Sequence, residues 1–224
     1  PGVVPDTINN ASLMHQVYTA ADPLYTGRVT VPVLWDRERS TIVNNESREI
    51  LRMLSTEFRP LWTRERDLCP DDLREEIDRV IAEIYDPIND GVYRTGFAIS
   101  QQAYEEAVAK LFDALDHWES VLANQRYTCG DRLTEADICL FTTLVRFDPV
   151  YFTHFKCNVR RIVDYPNLWG FVRDVYQTPG VAETVRLDHI KQHYFGSHET
   201  INPTGIVPVG PAIDFDSPHD RDRL

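Results

Sequence analysis

Gly27-Arg28-Val29-Thr30-Val31-Pro32-Val33-Leu34-Trp35-Asp36, then Arg37-Glu38-Arg39-Ser40, then Thr41-Ile42-Val43-Asn44-Asn45-Glu46-Ser47, is the stretch that decides the fold. Val29-Thr30-Val31 and Val33-Leu34-Trp35 are β-branched and apolar, as strands are, but Pro32 divides them. Proline brings no ladder donor, so it demotes the strand to an edge or marks a special peptide geometry. The polar residues 36–40 form a turn, and Thr41-Ile42-Val43 reads as a second short strand. From Glu46 to Phe58, the residues Ile50, Leu51, Leu54 and Phe58 recur at helical spacing. Upstream, Ala11–Ala20 reads as a helix with Leu13, Val17 and Tyr18 inward, ended by Asp22-Pro23. Helix, strand, strand, helix suits the second half of a small α/β domain.

Beyond residue 71 the periodicity is helical throughout. Leu73, Ile77, Val80, Ile81 and Ile84 mark one amphipathic helix, and Ala107, Val108, Leu111, Phe112, Leu115 and Trp118 mark another. Between them, Asn89 to Ser100 contains Gly91 and Gly96 and reads as an irregular loop. Thr134-Glu135-Ala136-Asp137 has the form of a capping box, opening a nearly all-apolar central helix over Ile138–Phe147. Further helices are expected around Leu168–Tyr176 and Leu187–Phe195. The expected division is a partial α/β domain over 1–58, a linker over 59–70 carrying Pro60 and Pro70, a helical domain over 71–196 and a tail over 197–224. In that Pro- and Gly-rich tail, Ile201, Ile206, Val207 and Val209 favour an ordered strap over free chain. No internal repeat is visible.

The 224 residues carry 23 Lys+Arg against 35 Asp+Glu, a net charge of −12, with 42% hydrophobic residues. That balance argues against a nucleic-acid binder, which needs a basic footprint. Residues 1–58 hold five basic and seven acidic side chains, so most of the acidity belongs to the solvated faces of the helical part. No apolar run approaches the length of a membrane span. Cys69, Cys129, Cys139 and Cys157 form no Cys-x-x-Cys pair, so free thiols in a reducing cytoplasm are the simplest reading. The chain opens Pro1-Gly2-Val3-Val4-Pro5, without Met or a signal core, and is read as an engineered or processed product or a fragment.

Two features could hold a small peptide with a free amino-acid end, such as glutathione. A strand edge at Val31-Pro32 offers a short antiparallel ladder to its cysteinyl amide. A helix beginning at Glu46-Ser47 offers free N–H groups to its carboxylate, and Glu46 an acceptor to its ammonium. The alternative is purely structural: Ser47 caps a helix and Pro32 ends a strand.

The quoted stretch resembles the glutathionyl-hydroquinone reductases, the Xi class of glutathione transferases. So do Asn89-Asp90-Gly91-Val92-Tyr93, Arg146-Phe147-Asp148-Pro149-Val150-Tyr151, Phe155-Lys156-Cys157-Asn158 and Tyr165-Pro166-Asn167-Leu168-Trp169. His189-Ile190-Lys191-Gln192-His193-Tyr194 and Asn202-Pro203-Thr204-Gly205-Ile206-Val207-Pro208 agree as well, and the likeness runs from about Tyr18 to the end. It implies the fold class: α/β plus all-α, with the C-terminal half of a thioredoxin-like domain, an all-helical glutathione-transferase C-terminal domain and an extended tail. It implies glutathione as co-substrate, a homodimer, a cytoplasmic setting and reduction of glutathionyl-hydroquinones with release of glutathione disulfide. By the same resemblance Arg28, Val29, Thr30, Val31, Glu46 and Ser47 hold glutathione, Tyr93 gives and takes a proton, and Tyr151 and Tyr194 assist the thiolate and contact substrate.

The tyrosines suit that chemistry, because a phenol can protonate the departing ring and hydroxyl donors stabilise a thiolate. The family's nucleophile is the cysteine of a Cys-Pro-Trp motif lying upstream of everything matched, and no Cys-Pro-Trp occurs in this chain. Cys69-Pro70 is a poor substitute, placed in the linker after both strands and their helix. His189 and His193, at i and i+4, lack a third ligand and a zincin glutamate, so no metal is expected. The competing reading is a glutathione-transferase-like module used for binding or protein interaction without catalysis.

Overall fold

A computed structural model describes residues 4–63 and 66–224. The opening Pro1-Gly2-Val3, and Arg64 and Glu65 of the expected linker, lie outside the described residues. The chain forms two compact units, Pro1–Asp67 and Leu68–Leu224.

The first unit holds α1 (Met14–Ala21), β1 (Leu34–Asp36), β2 (Thr41–Asn44) and α2 (Ser47–Thr56). Gln16 reaches back to the Ser12 and Leu13 amides at the start of α1, and Asp22 ends the helix as Asp22-Pro23 foretells. β1 and β2 form an antiparallel hairpin pairing Leu34 with Asn44, Trp35 with Ile42 and Asp36 with Thr41. Its turn closes on the Asp36 carboxylate, which accepts the Glu38 and Arg39 amides at 2.9 Å. Val29–Val31 is not a strand. The Val31–Pro32 peptide is cis, and the segment's bonds go to side chains instead of a ladder.

The second unit is helical: α3 (Arg74–Ile84), α4 (Gly91–Gly96), α5 (Gln101–Leu122), α6 (Glu135–Arg146), α7 (Phe152–His154), α8 (Pro166–Gln177) and α9 (Leu187–Ser197). α6 is the central helix, burying Ala136, Leu140, Phe141, Leu144 and Val145 against α3 and α8. The capping box is present and buried. Asp137 accepts the Thr134 and Thr128 amides at 2.7 Å and both threonine hydroxyls at 2.8–3.0 Å. Burial pushes its carboxyl up to about 6 against those four bonds. No helix of the described residues is long and apolar enough to cross a membrane.

Residues 89–100 depart from the expected loop. Two π-helical turns, Tyr85–Asn89 and Phe147–Tyr151, follow α3 and α6, and each leads directly into a short helix, α4 or α7. Both turns share aromatic-Asp-Pro-aliphatic, Tyr85-Asp86-Pro87-Ile88 and Phe147-Asp148-Pro149-Val150, a local repeat that the sequence reading passes over. Proline has no N–H for the i→i−4 ladder, so the helix slips its register there without ending. Gly91 and Gly96 open and close α4.

The tail is a strap; of the four apolar residues expected to hold it, Ile201 packs against the core, and other residues do the rest. Val209 is fully exposed and Ile206 largely so. Phe215 instead stacks on Tyr176, with centroids 5.0 Å apart, and Gln177 donates to the Phe215 and Ser217 carbonyls. Arg221, completely buried, donates to the carbonyls of Leu122, Gln125 and Arg126 where α5 ends.

Candidate functional site

In the first unit, the six residues expected to hold glutathione are all exposed and fall into two segments, 28–31 and 46–47. One phenol joins them. Tyr18, on α1 and 3% exposed, donates to the Thr30 carbonyl at 3.0 Å and accepts the Thr30 amide at 3.2 Å. The Asn45 amide donates to the same phenol at 3.0 Å and to the Thr30 hydroxyl at 3.2 Å. Burial raises the Tyr18 pKa, but the bonds from Thr30 and Asn45 outweigh it and the net direction is down. Tyr25, whose ring tilts against Tyr18 at 4.8 Å, donates to the Arg28 carbonyl at 2.6 Å. Alternate residues, Arg28 and Thr30, are therefore tied to side chains, while the backbone groups of Val29 and Val31 have no hydrogen bond among the described residues.

Asn45 immediately precedes Glu46, the residue before α2. Glu46 is the N-cap residue of that helix and makes no side-chain capping bond among the described residues, and Asn44 accepts the Glu46 amide at 2.7 Å. The start of α2 thus presents N–H groups and the positive end of its dipole beside segment 28–31. Tyr18 and Asn45, which build this geometry, were missed as functional residues by the sequence reading. The only signal was their place, inside or at the edge of the resembling strings.

In the second unit, Tyr93, Tyr151 and Tyr194 meet. Tyr93 lies on α4, Tyr151 ends the second π-turn and Tyr194 lies on α9. The Tyr194 hydroxyl is 2.5 Å from that of Tyr93 and 2.8 Å from that of Tyr151. Tyr151 is 2% exposed, Tyr194 6% and Tyr93 37%, so the chain of hydroxyls runs from the interior outward. Burial raises the pKa of both Tyr151 and Tyr194 well above the ordinary phenol value, which keeps them protonated. Three hydroxyl protons serve two internal hydrogen bonds, and one donor is left over. Tyr93 is the end that can present it.

Phe155 packs beneath this chain, parallel to Tyr151 at 5.5 Å and tilted against Tyr93 at 5.4 Å. A Cβ at Gly96 would fall inside the Phe155 ring, so only glycine admits it. On the other side of Phe155, His154 and His198 share a hydrogen bond at 3.0 Å. Burial holds both imidazoles neutral, His154 down to about 4. Phe97 tops the cluster, half exposed.

The cysteines do not join either cluster as nucleophiles. Cys157 is completely buried, its thiol pushed up to about 12 by burial, and burial raises Cys129 too. Cys69 is buried and Cys139 half-buried. No group of three or more His, Cys, Asp or Glu able to hold a metal occurs among the described residues.

Residues 101–174 match the family "Glutathione S-transferase, C-terminal domain". The chain is 57% identical over 222 residues to glutathionyl-hydroquinone reductase YqjG of Escherichia coli, covering 99% of this chain and 68% of that protein. It is also 57% identical to glutathionyl-hydroquinone reductase PcpF of Sphingobium chlorophenolicum, over 94% of this chain and 67% of that one. Among solved structures, glutathione-bound YqjG superposes with a TM-score of 0.96, covering the whole of this chain and 73% of that one. A Xi-class transferase from Natrialba magadii, 56% identical, gives 0.98 over the whole of this chain and 68% of the other. With a helical glutathione-transferase C-terminal domain, a small two-stranded sheet and identity of this order over nearly its full length, the chain belongs to the glutathionyl-hydroquinone reductases, the Xi class of glutathione transferases.

Proposed function

We propose that this protein reduces glutathionyl-hydroquinones to hydroquinones at the expense of glutathione. In this reading residues 1–58 are the C-terminal half of a thioredoxin-like domain, 59–70 the linker, 71–196 the substrate domain and 197–224 its strap. Arg28 to Val31 and Glu46-Ser47 hold glutathione, through the open backbone of Val29 and Val31 and the start of α2. A cysteine thiolate attacks the sulfur of the conjugate, forming a mixed disulfide as the carbon–sulfur bond breaks. The electron pair of that bond goes to the ring carbon, which takes a proton from Tyr93. A second glutathione thiolate then attacks the mixed disulfide, freeing the enzyme thiolate and leaving as glutathione disulfide. The thiol proton it surrenders restores the phenol.

The observation that carries this reading is the three-hydroxyl chain with its spare donor at Tyr93. Since none of the four cysteines suits the nucleophile, the thiolate is assigned to a residue outside these 224. The homodimer and the cytoplasm, where reduced glutathione is supplied, belong to the same reading; sedimentation checks the former.

The test is glutathione disulfide formed per hydroquinone released, by the product of the complete reading frame and by these 224 residues alone. A one-to-one yield from the former, slowed about 100-fold by Tyr93→Phe, is expected. Full turnover by the 224 residues would overturn the assignment of the nucleophile. No turnover and no glutathione binding by either would overturn the function in favour of a non-catalytic interaction module.

A further inference from the structure

Phe97 is an exposed phenylalanine that the fold holds in place. Its ring is 46% exposed, yet it lies nearly parallel to Tyr93, 16° between planes and 6.5 Å between centroids. It is tilted against Phe155 at 5.2 Å, and the His198 ring meets it edge-on at 5.2 Å. Phe97 follows Tyr93 by four residues, so the two share one helix face, and the Phe97 amide bonds to the Tyr93 carbonyl at 2.9 Å. Ile99, two residues on, is fully exposed, as single surface apolar residues commonly are. Phe97 differs in being braced by three aromatic rings beside a hydroxyl that has a proton to give.

We propose that the outer face of Phe97, bordered by the edge of His198, is the shelf on which the hydroquinone ring of the substrate stacks. Phe97 thereby becomes a specificity-determining residue that favours extended, flat aromatic leaving groups. The proposal rests on the function proposed above and assigns the ring's place within it. A hydroquinone is flat and carries hydroxyls in its ring plane, so offset stacking satisfies its face while leaving its edge free to hydrogen-bond. Stacked rings lie about 4.5–7 Å apart, and the Phe97 and Tyr93 centroids lie 6.5 Å apart, so a ring held on Phe97 lies beside the residue assigned the proton transfer. Burial disfavours the charged form of the His198 imidazole that borders the shelf.

The test uses calorimetry with three probes: glutathione, glutathionyl-naphthohydroquinone and free naphthohydroquinone kept reduced. The variants are Phe97→Leu, Phe97→Trp and, as a control, Ile99→Ala. Phe97→Leu should leave glutathione affinity within about twofold and weaken the conjugate about tenfold, the effect of one lost ring–ring contact. Phe97→Trp should restore it, with tryptophan fluorescence quenched by free naphthohydroquinone, and Ile99→Ala should change nothing. Unaltered binding of both aromatic probes by Phe97→Leu overturns the shelf even where glutathione binds. Absence of glutathione binding by the wild type, with free naphthohydroquinone still dependent on Phe97, overturns the proposed function and leaves the shelf standing.

Discussion

Replacing Tyr18 by phenylalanine removes one oxygen atom and with it the joint between the two segments expected to grip glutathione. That oxygen makes two bonds to the Thr30 main chain, at 3.0 and 3.2 Å, and takes one from Asn45 at 3.0 Å. Thr30 is exposed, so its main-chain groups recover part of their bonding from water; Asn45 keeps its bond to the Thr30 hydroxyl. Taking about 1 kcal/mol net for each main-chain bond lost gives a destabilisation of about 2 kcal/mol in the first unit. The larger consequence is for binding. With Thr30 no longer fixed against Asn45, the open groups of Val29 and Val31 must be ordered by the ligand. A cost of one or two immobilised residues raises the glutathione Kd about tenfold.

The assay pairs urea unfolding, followed by the fluorescence of Trp35 and Trp62, with glutathione calorimetry. Tyr25→Phe, which removes one bond to the Arg28 carbonyl, is the companion variant and should cost about half as much. If Tyr18→Phe loses stability and still binds glutathione as the wild type does, the phenol only braces the fold and the reasoning about preorganisation is refuted.

Gly96→Ala sets a methyl group into the Phe155 ring, so the second unit should lose about 1–3 kcal/mol and hydroquinone turnover should fall with it; retained turnover would show the ring to be indifferent. His154 is neutral when folded, with its pKa down to about 4, and charges near 6.5 when unfolded. Its contribution is thus whole above pH 6.5 and is lost as pH falls toward 4. Urea midpoints at pH 7.5 and 4 should therefore show the wild type losing up to about 3 kcal/mol relative to His154→Gln. Arg221→Met leaves three carbonyls at the end of α5 without their donor. A loss of about 2 kcal/mol is expected, with proteolysis in residues 203–218 faster than in the wild type.

What the sequence discloses and what it hides divide along physical lines. The Thr134–Asp137 capping box, the longer helices of the second unit and the pairing of Trp35 with Ile42 are written in local pattern, and local pattern is legible. Val29–Val31 has strand composition but pairs with no strand among the described residues, and the phenols of Tyr18 and Tyr25 bond to the neighbouring Thr30 and Arg28 carbonyls instead. Such partners stand up to twelve residues away and leave no periodic trace. Gly91 and Gly96 read as loop punctuation, whereas Gly96 lies in a helix as a packing demand, its missing Cβ replaced by Phe155. The strap shows the same limit. Of the apolar residues expected to anchor it, Ile201 packs against the core while Ile206 and Val209 face water, and a buried arginine closes the end of α5 by a contact ninety-nine residues long.

The tyrosine cluster shows why its three members are unequal despite identical chemistry. Tyr151 ends a π-turn held by Asp148, whose buried carboxylate accepts the Ile162 and Val163 amides at 2.7 and 3.1 Å. The turn cannot relax outward, so Tyr151 stays 2% exposed, and an ionised phenol there would lack the solvent that stabilises it. Tyr194 bonds to both others and can only pass a proton along, accepting one as it donates one. Tyr93 is by far the most exposed of the three, on a helix whose Gly96 lets Phe155 pack beneath it. An acid for an aromatic leaving group needs a donor at the surface and a reserve behind it that never ionises at rest. In the proposed reaction, burial graded along three hydroxyls would supply both.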